Sequence, residues 1–539
     1  MSPHSPTITR RRLLGQAALA TATAGAASVT LPGLARAADP TLEYVPAIVV
    51  GSGFGGSVAA LRLGQAGVQT LVLEMGRLWN SKGWDGKRFC PTLLPDERAM
   101  WFSGRTKVPL DSFLWVPADI PVPRRAGILD RLQYRDMGVY VGRGVGGGSL
   151  IHGGVSEAPR RVDFERFLPQ IDAEEMYGRF FPLASRTLGV NQVPREWFER
   201  TQVHQYSRVG RATAARAGFK TSFVGSVYDY EYLQRETMGQ VPRSATAQEI
   251  YYGSNYGKRS LDRTYLSDAL GTGNVTINAL SEVTRIQQQR DGTYLLDVKQ
   301  INTRGTVVRR RQIACKHLFL GAGTMGTNEL LLRARETGDL PDLSEQIGRG
   351  WGNNGNVSVS CLNQTNRPTG LAQTTMPAIG IDNRDDPRYP VFAEIAAQPT
   401  GFENFTTSYL GVTNTGERAT LTYDRVTARM DLDWNRSQAD PAIHALRNTL
   451  DPIVDKSKMI YRTDLYKGNR AFGVRSCWHP LGGCVLGEAT DLYGRVDGYR
   501  NLYVTDGALV PGFASVNPTM LITALAERVM DRVLQEDLR

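Results

Sequence analysis

The chain has few cysteines, no long apolar run and no long run of one charge, and each absence removes a class of protein. Cys90, Cys315, Cys361, Cys477 and Cys484 are odd in number and scattered over 539 residues, which excludes a disulfide framework. Cys477-x-His479-x4-Cys484 comes nearest to a metal cluster, but no fourth ligand stands at a matching spacing. No metal site is expected. No stretch reaches the ~18 apolar residues of a membrane span. Arg309-Arg310-Arg311 is as long as any run of like charge. No zinc-finger or RNA-binding signature accompanies it, so nucleic acid is not an expected partner. A composition of 41% hydrophobic and 22% charged residues excludes a mainly disordered chain, a coiled coil and a fibre.

The net charge of +10 belongs partly to the N-terminus. Thr9-Arg10-Arg11-Arg12-Leu13-Leu14 precedes a mildly apolar Ala/Thr-rich stretch and the small-x-small sequence Ala35-Arg36-Ala37. Basic, apolar and small-residue regions in that order read as a secretory signal, and the paired arginines resemble a twin-arginine one. The expectation is a signal peptide over 1–37 and an exported, secreted or periplasmic, protein. Those residues hold four Arg and no acid, so without them the net charge falls to +6, diffuse and unremarkable for a solvated surface.

Glycine is what the chain has in excess, at 56 residues, about a tenth against a usual ~7%. The first cluster follows an apolar run, Val45–Val50, that reads as a buried strand. Gly51-Ser52-Gly53-Phe54-Gly55-Gly56 comes next, then a helical stretch from Ser57 to Leu63, a second strand over Val68–Leu73, and Glu74. Strand, G-x-G-x-x-G, helix, strand and acid together form a dinucleotide site. The glycines let backbone approach a pyrophosphate, the helix N-terminus offers free N–H groups, and the acid suits ribose hydroxyls. An acid at 74 disfavours a 2′-phosphate, and hence NADP. The motif leaves NAD and FAD open.

A second cluster, Val141-Gly142-Arg143-Gly144-Val145-Gly146-Gly147-Gly148-Ser149, continues to Gly153-Gly154. Apolar frames and the lack of Ser/Pro-rich surroundings make it a packed loop against a planar or phosphorylated ligand rather than a linker. Leu318–Thr324 is a third piece, a buried strand ending in small residues around Gly321. A hairpin precedes it, with Val283–Ile286 and Tyr294–Val298 around Asp291-Gly292. Towards the C-terminus stand His479 in Trp478-His479-Pro480-Leu481-Gly482-Gly483-Cys484, a strand Asn501–Val504 leading to Asp506, and Asn517-Pro518 before a helix from Leu521 to Leu534. Asn517 is expected to cap that helix, a role compatible with a second one in a site.

These motifs, with Val391-Phe392-Ala393-Glu394-Ile395, resemble in order those of the glucose–methanol–choline (GMC) family of flavoproteins. Within it they resemble the bacterial cholesterol-oxidase branch with non-covalent FAD, from about residue 42 to the end. The resemblance implies an α/β fold, α+β overall, with a Rossmann-like FAD-binding domain (42–80, 138–160, 256–350, 471–539). A substrate domain of antiparallel sheet and helices (81–137, 161–255, 351–470) would interleave with it, under a lid near 79–90 that carries two exposed tryptophans, Trp79 and Trp84. It implies FAD against Gly51, Gly53, Phe54, Gly55, Gly56, Glu74, Gly142, Gly144, Gly148, Ser149, His152, Gly153, Gly154, Val283, Gly321 and Asp506. His479 and Asn517 would be the pair at the reacting alcohol, His479 bonding the hydroxyl or taking its proton. Glu394 would be the base that turns a 5-en-3-one into the 4-en-3-one. Phe392 and Val155 would shape substrate and oxygen access. The implied partners are a sterol drawn from a lipid surface, with transient peripheral contact, and O2, and the implied state is a monomer.

Four positions, at three places in the chain, depart from that pattern. His152 stands for an Asn, Val155 for a Met, and Thr519-Met520 differs. A covalent FAD link at His152 is the alternative to non-covalent binding, since some relatives carry a linking His one position away. The rival readings are a GMC flavoprotein that oxidises another secondary alcohol or passes electrons to a carrier, and a lipid-surface binding protein that keeps FAD structurally.

Overall fold

The segment Ala47–Val50 is buried on both faces, as a strand flanked by parallel neighbours must be. It pairs in parallel with Thr70–Leu73 on one side and with the second half of Val307–Leu320 on the other. Val275–Asn278 extends this sheet beyond Thr70–Leu73. The antiparallel strands Tyr294–Ile301 and Ser281–Gln288 extend it beyond Val307–Leu320, and Leu502–Val504 adds in parallel to Leu318–Leu320. The helix Phe54–Gln65 packs over this sheet and against the C-terminal helix Thr519–Glu536. The structure is a computed structural model. It describes residues 42–538 apart from 81, 84, 93, 109, 245, 247–251, 253–254, 364–366, 372, 375 and 398–403. The expected signal peptide and Trp84 lie outside the described residues.

A second sheet is antiparallel throughout. Its strands run in the order Ile460–Tyr461, Val357–Leu362, Thr406–Val412, Val391–Ala396, Ile379–Asn383 and Thr221–Phe223, with Phe472–Gly473 also paired to Val357–Leu362. The helices Gln205–Arg216 and Asp440–Ser457 cover it through an apolar core that includes Leu446, Ile395 and Tyr409. Glu43–Arg539 is one compact unit. Within it the first sheet is drawn from both ends and the middle of the chain, and the second mostly from 351–470.

A small third sheet positions the site. Ser476–Cys477 pairs in parallel with Gly138–Val139, whose strand pairs with Leu129–Gln133. This staples the chain leading to His479 onto the chain leading into the loop Gly142–Ser149. Tyr140 and Trp478 stack at 4.1 Å to tighten the joint.

Two local expectations are corrected. Trp79 is 2% exposed, not an exposed lid residue. Its indole N–H donates to Arg143 O at 3.3 Å and Arg77 lies over its ring. The last helix begins at Thr519 with Pro518 as its cap residue, since Ile522 N already bonds Pro518 O. Asn517 therefore caps nothing, and its side chain is free for the site.

Candidate active site

Most of the glycines in the first cluster pack backbone on backbone rather than backbone on ligand. A Cβ at Gly55 would stand 1.9 Å from Thr505 O, and one at Gly56 2.1 Å from Gly51 O. Gly51, at φ +90°, would meet Gly321 O at 2.4 Å. Gly53 and Gly148 have room for a Cβ, whose nearest neighbours would stand at ordinary contact distances of 3.9 and 3.8 Å. The turn thus brings the helix end hard against the strand ends at 321 and 505.

Along this turn runs one elongated groove made of two adjoining cavities. The smaller, about 160 Å³, is walled by Gly51, Gly53, Glu74, Gly142, Val283 and Gly321. The larger, about 310 Å³, shares Gly53, Gly142, Gly148 and Gly321 with it. It continues past Phe54, Gly55, His152, Gly153, Val155 and Asp506 to Glu394, His479 and Asn517. Gly56, Gly144, Ser149 and Gly154 stand behind this lining. Gly144 lies under Trp79 and Gly154 under Tyr228. The Ser149 hydroxyl donates to Gly146 O and accepts from Leu261 N, so it holds the loop together. Phe392 packs behind Val155, with Val224.

The groove fits a dinucleotide in three places. At one end the buried Glu74 carboxylate accepts from Ser52 N, Ser52 Oγ and Gly76 N. That leaves one of its ~four lone-pair sites for a ligand hydroxyl. In the middle the helix Phe54–Gln65 has no side-chain cap and no acid in its first turn, so its N–H groups and dipole await an anion. At the far end His152 Nε2 is buried without a partner. Its ring lies edge-on to Phe54, and burial, Lys258 and His479 push its pKa well below the usual value.

The polar end is assembled from four distant pieces of chain. His479 Nδ1 lies 3.1 Å from Asn356 Nδ2 and 3.3 Å from Asn354 Nδ2. The Asn354 amide is fixed, because its Oδ1 accepts from Ala514 N and its Nδ2 donates to Val516 O. Nδ1 is therefore an acceptor, and the network assigns the ring proton to Nε2. That nitrogen lies 3.4 Å from Asn517 Nδ2; both are then donors, so this is a contact and not a hydrogen bond, and the Nε2 proton is left for another acceptor. Burial pushes the His479 pKa down to about 4, so the imidazole is neutral at pH 7 and presents an N–H donor. Glu394, on the buried strand Val391–Ala396, is raised to about 7 by burial, against a bond from Asn517 that lowers it. Glu394 Oε1 and Asn517 Oδ1 are both buried without a partner. Asp506, the other carboxylate of this cavity's described lining, is held by Thr327 Oγ1 and Ala508 N and raised by burial to about 6.

Asn354 and Asn356 escape a reading of the sequence. Asn353-Asn354-Gly355-Asn356 looks like turn chemistry, and Asn354 does adopt φ 58°. Nothing local ties it to a histidine 125 residues away. The bridge between Gly352 and Leu481 makes that connection.

A flavoprotein-type oxidoreductase is the class this groove and polar end define, and comparison with known proteins gives the family. Models described as GMC oxidoreductase match residues 45–335 and 418–526, and one described as GMC oxidoreductase, C-terminal, matches 354–467. The chain belongs to the GMC oxidoreductase family, whose members bind FAD. It is 26% identical over 563 residues to a cholesterol oxidase of Mycobacterium tuberculosis, with 89% of each chain covered. It is 22% identical over 567 residues to a cholesterol oxidase of Acinetobacter baumannii, covering 90% of this chain and 94% of the relative. Among solved structures, pyridoxine 4-oxidase from Mesorbium loti shares the fold at TM-score 0.63 and 15% identity, over 91% of this chain and 99% of that one. Formate oxidase of Aspergillus oryzae does so at 0.62 and 11%, over 92% and 99%.

Proposed function

We propose that this GMC oxidoreductase is an exported sterol oxidase. It would oxidise the 3β-hydroxyl carbon of a cholesterol-like sterol, isomerise the 5-en-3-one to the 4-en-3-one, and yield hydrogen peroxide from O2. The observation that carries this reading is the pairing of two orphaned buried oxygens, on Glu394 and Asn517, beside the His479 N–H donor on one cavity wall. Bound FAD, held non-covalently, would supply the acceptor for the two electrons and the route to oxygen. The walls beyond it, among them Leu110, Val359, Pro377, Ala397 and Leu410, are apolar and suit a rigid polycyclic substrate.

The residues divide the work as follows. His479 Nε2–H donates to the substrate oxygen and stabilises charge developing there. This favours the donor role over proton abstraction for this imidazole. Asn517 orients the Glu394 carboxylate through the bond between them. Glu394, poised near neutrality by its apolar surroundings, takes a proton from one side of the enone system and returns it on the other. The hairpin Ser112–Pro117 bears Leu114, Trp115 and Val116 at 58, 69 and 65% exposure. It follows Leu110 of the cavity wall, and supports lipid contact at the sterol entrance.

Anaerobic addition of cholesterol should bleach the flavin spectrum, and admission of air should restore it with stoichiometric peroxide. No bleaching would overturn the sterol reading. Bleaching without peroxide would favour a carrier in place of oxygen. Acid precipitation should release all the yellow colour into solution, whereas colour left in the pellet would mean a covalent link at His152.

A further inference from the structure

Lys258 is 2% exposed, burial pushes its pKa down to about 7, and no carboxylate among the described residues bonds it. Its Nζ donates to Leu150 O at 3.0 Å and His152 O at 2.9 Å, the two carbonyls that flank Ile151 in the loop lining the flavin end of the groove. Asp262, whose charge acts on Lys258, accepts from Ser260 Oγ and faces Arg263 at 4.0 Å. A second, half-buried cation fixes the Lys258 backbone, as Arg263 Nη1 donates to the carbonyls of Asn255, Tyr256 and Lys258. A buried ammonium without a counter-ion is unfavourable by several kcal/mol even when hydrogen-bonded. A methionine of similar volume would fill the same space without that penalty, so packing alone does not explain a lysine here.

Among the described residues, the groups that face His152 are Phe54, Lys258 and His479. None is acidic. Burial first, and then Lys258 and His479, disfavour protonation of His152.

We propose that Lys258 is a positioning residue for the cofactor: its two carbonyl bonds set the 150–152 loop, and with it the His152 ring on the cavity wall. The orphaned His152 Nε2 is then offered to FAD uncharged. The positive charge that the site does carry lies behind the loop, where it favours electron density gained by the cofactor without competing for its hydrogen bonds. This rests on FAD binding in the groove and is independent of the substrate.

Lys258→Met and Lys258→Arg test it, with Lys258→Gln as the milder uncharged variant should Met not fold. Three quantities are read: FAD affinity of the apoprotein by fluorescence titration, the His152 titration midpoint by NMR of labelled histidine, and the flavin midpoint potential. His152→Asn serves both for assignment and as background. Lys258→Met should weaken FAD binding at least tenfold, move the His152 midpoint upward and make the flavin harder to reduce. The Arg variant should stay near wild type in all three. Part of the potential shift should vanish in the His152→Asn background, since coupled residues are non-additive. Unchanged affinity and midpoint in the Met or Gln variant would overturn the proposal. So would an Arg variant as impaired as the Met one, because then shape and not charge matters. None of the readouts uses a sterol, so failure here and failure of the sterol reading are distinguishable.

Discussion

Glu394 and Asp506 are both buried carboxylates on one cavity wall, and they differ in how their oxygens are used. Asp506 is tied to Thr327 and Ala508; Glu394 keeps Oε1 free. Glu394→Gln should therefore let the unconjugated 5-en-3-one accumulate, followed by absorbance of the conjugated product, while flavin reduction by the sterol persists. The same variant has a stability signature. Because the folded pKa lies near 7 and the unfolded one near ~4.3, the folded state holds the proton more tightly. Stability from this group is full below pH ~4.3 and is lost as pH rises to about 7. Relative to wild type, the Gln variant should gain about 3–4 kcal/mol at pH 8 and little at pH 4, read from denaturant unfolding. Asn354→Ala should release the imidazole tautomer. The rate of flavin reduction should fall on the order of 10²-fold, with a smaller change in KM and FAD retained. At this scale little was legible in isolation. Glu394 reads as an ordinary loop acid without its family motif, because its burial depends on the strands that pair it with Gly380 and Leu410, 14 and 16 residues away, and on the helices that cover them. Asn354 and Lys258 were not legible at all.

At the scale of elements, strand, glycine turn and helix were readable because their causes are local: period, apolar runs and turn residues. What was not readable is which glycines touch a ligand. Gly55→Ala should prevent folding of the flavin site, since its Cβ has backbone 1.9 Å away that cannot move alone. Gly53→Ala has room at 3.9 Å. It should fold with near-native melting temperature but bind FAD at least tenfold more weakly, because the methyl group projects where the pyrophosphate would lie. Equal damage from both substitutions would mean that Gly53 too is a packing glycine. The cap of the last helix shows the same limit. Asn-Pro suggested an Asn cap, but the helix starts one residue later, and tertiary contacts claim the Asn side chain.

For the whole molecule, the exposed hairpin tip is held in place from outside its own element. Leu114 N donates to Asp464 Oδ2 at 2.8 Å, and Asp464 is itself paired with Arg462. Trp115→Ser with Leu114→Ser should reduce vesicle binding and turnover of vesicle-borne sterol several-fold, while turnover of detergent-dispersed sterol stays near wild type. Equal loss in both assays would assign the hairpin to the active-site wall instead. The sequence by itself determined the dinucleotide turn, the hairpin that precedes Leu318–Thr324 and the order of the motifs. Those follow from short-range chemistry along the chain. Only the tertiary structure decided that Gly138–Val139 pairs with Ser476–Cys477, that Asn354 sets the proton of His479, and that Lys258 underlies the flavin loop. Each joins residues more than 100 positions apart, and a contact of that kind leaves no periodicity or spacing in the residues that make it.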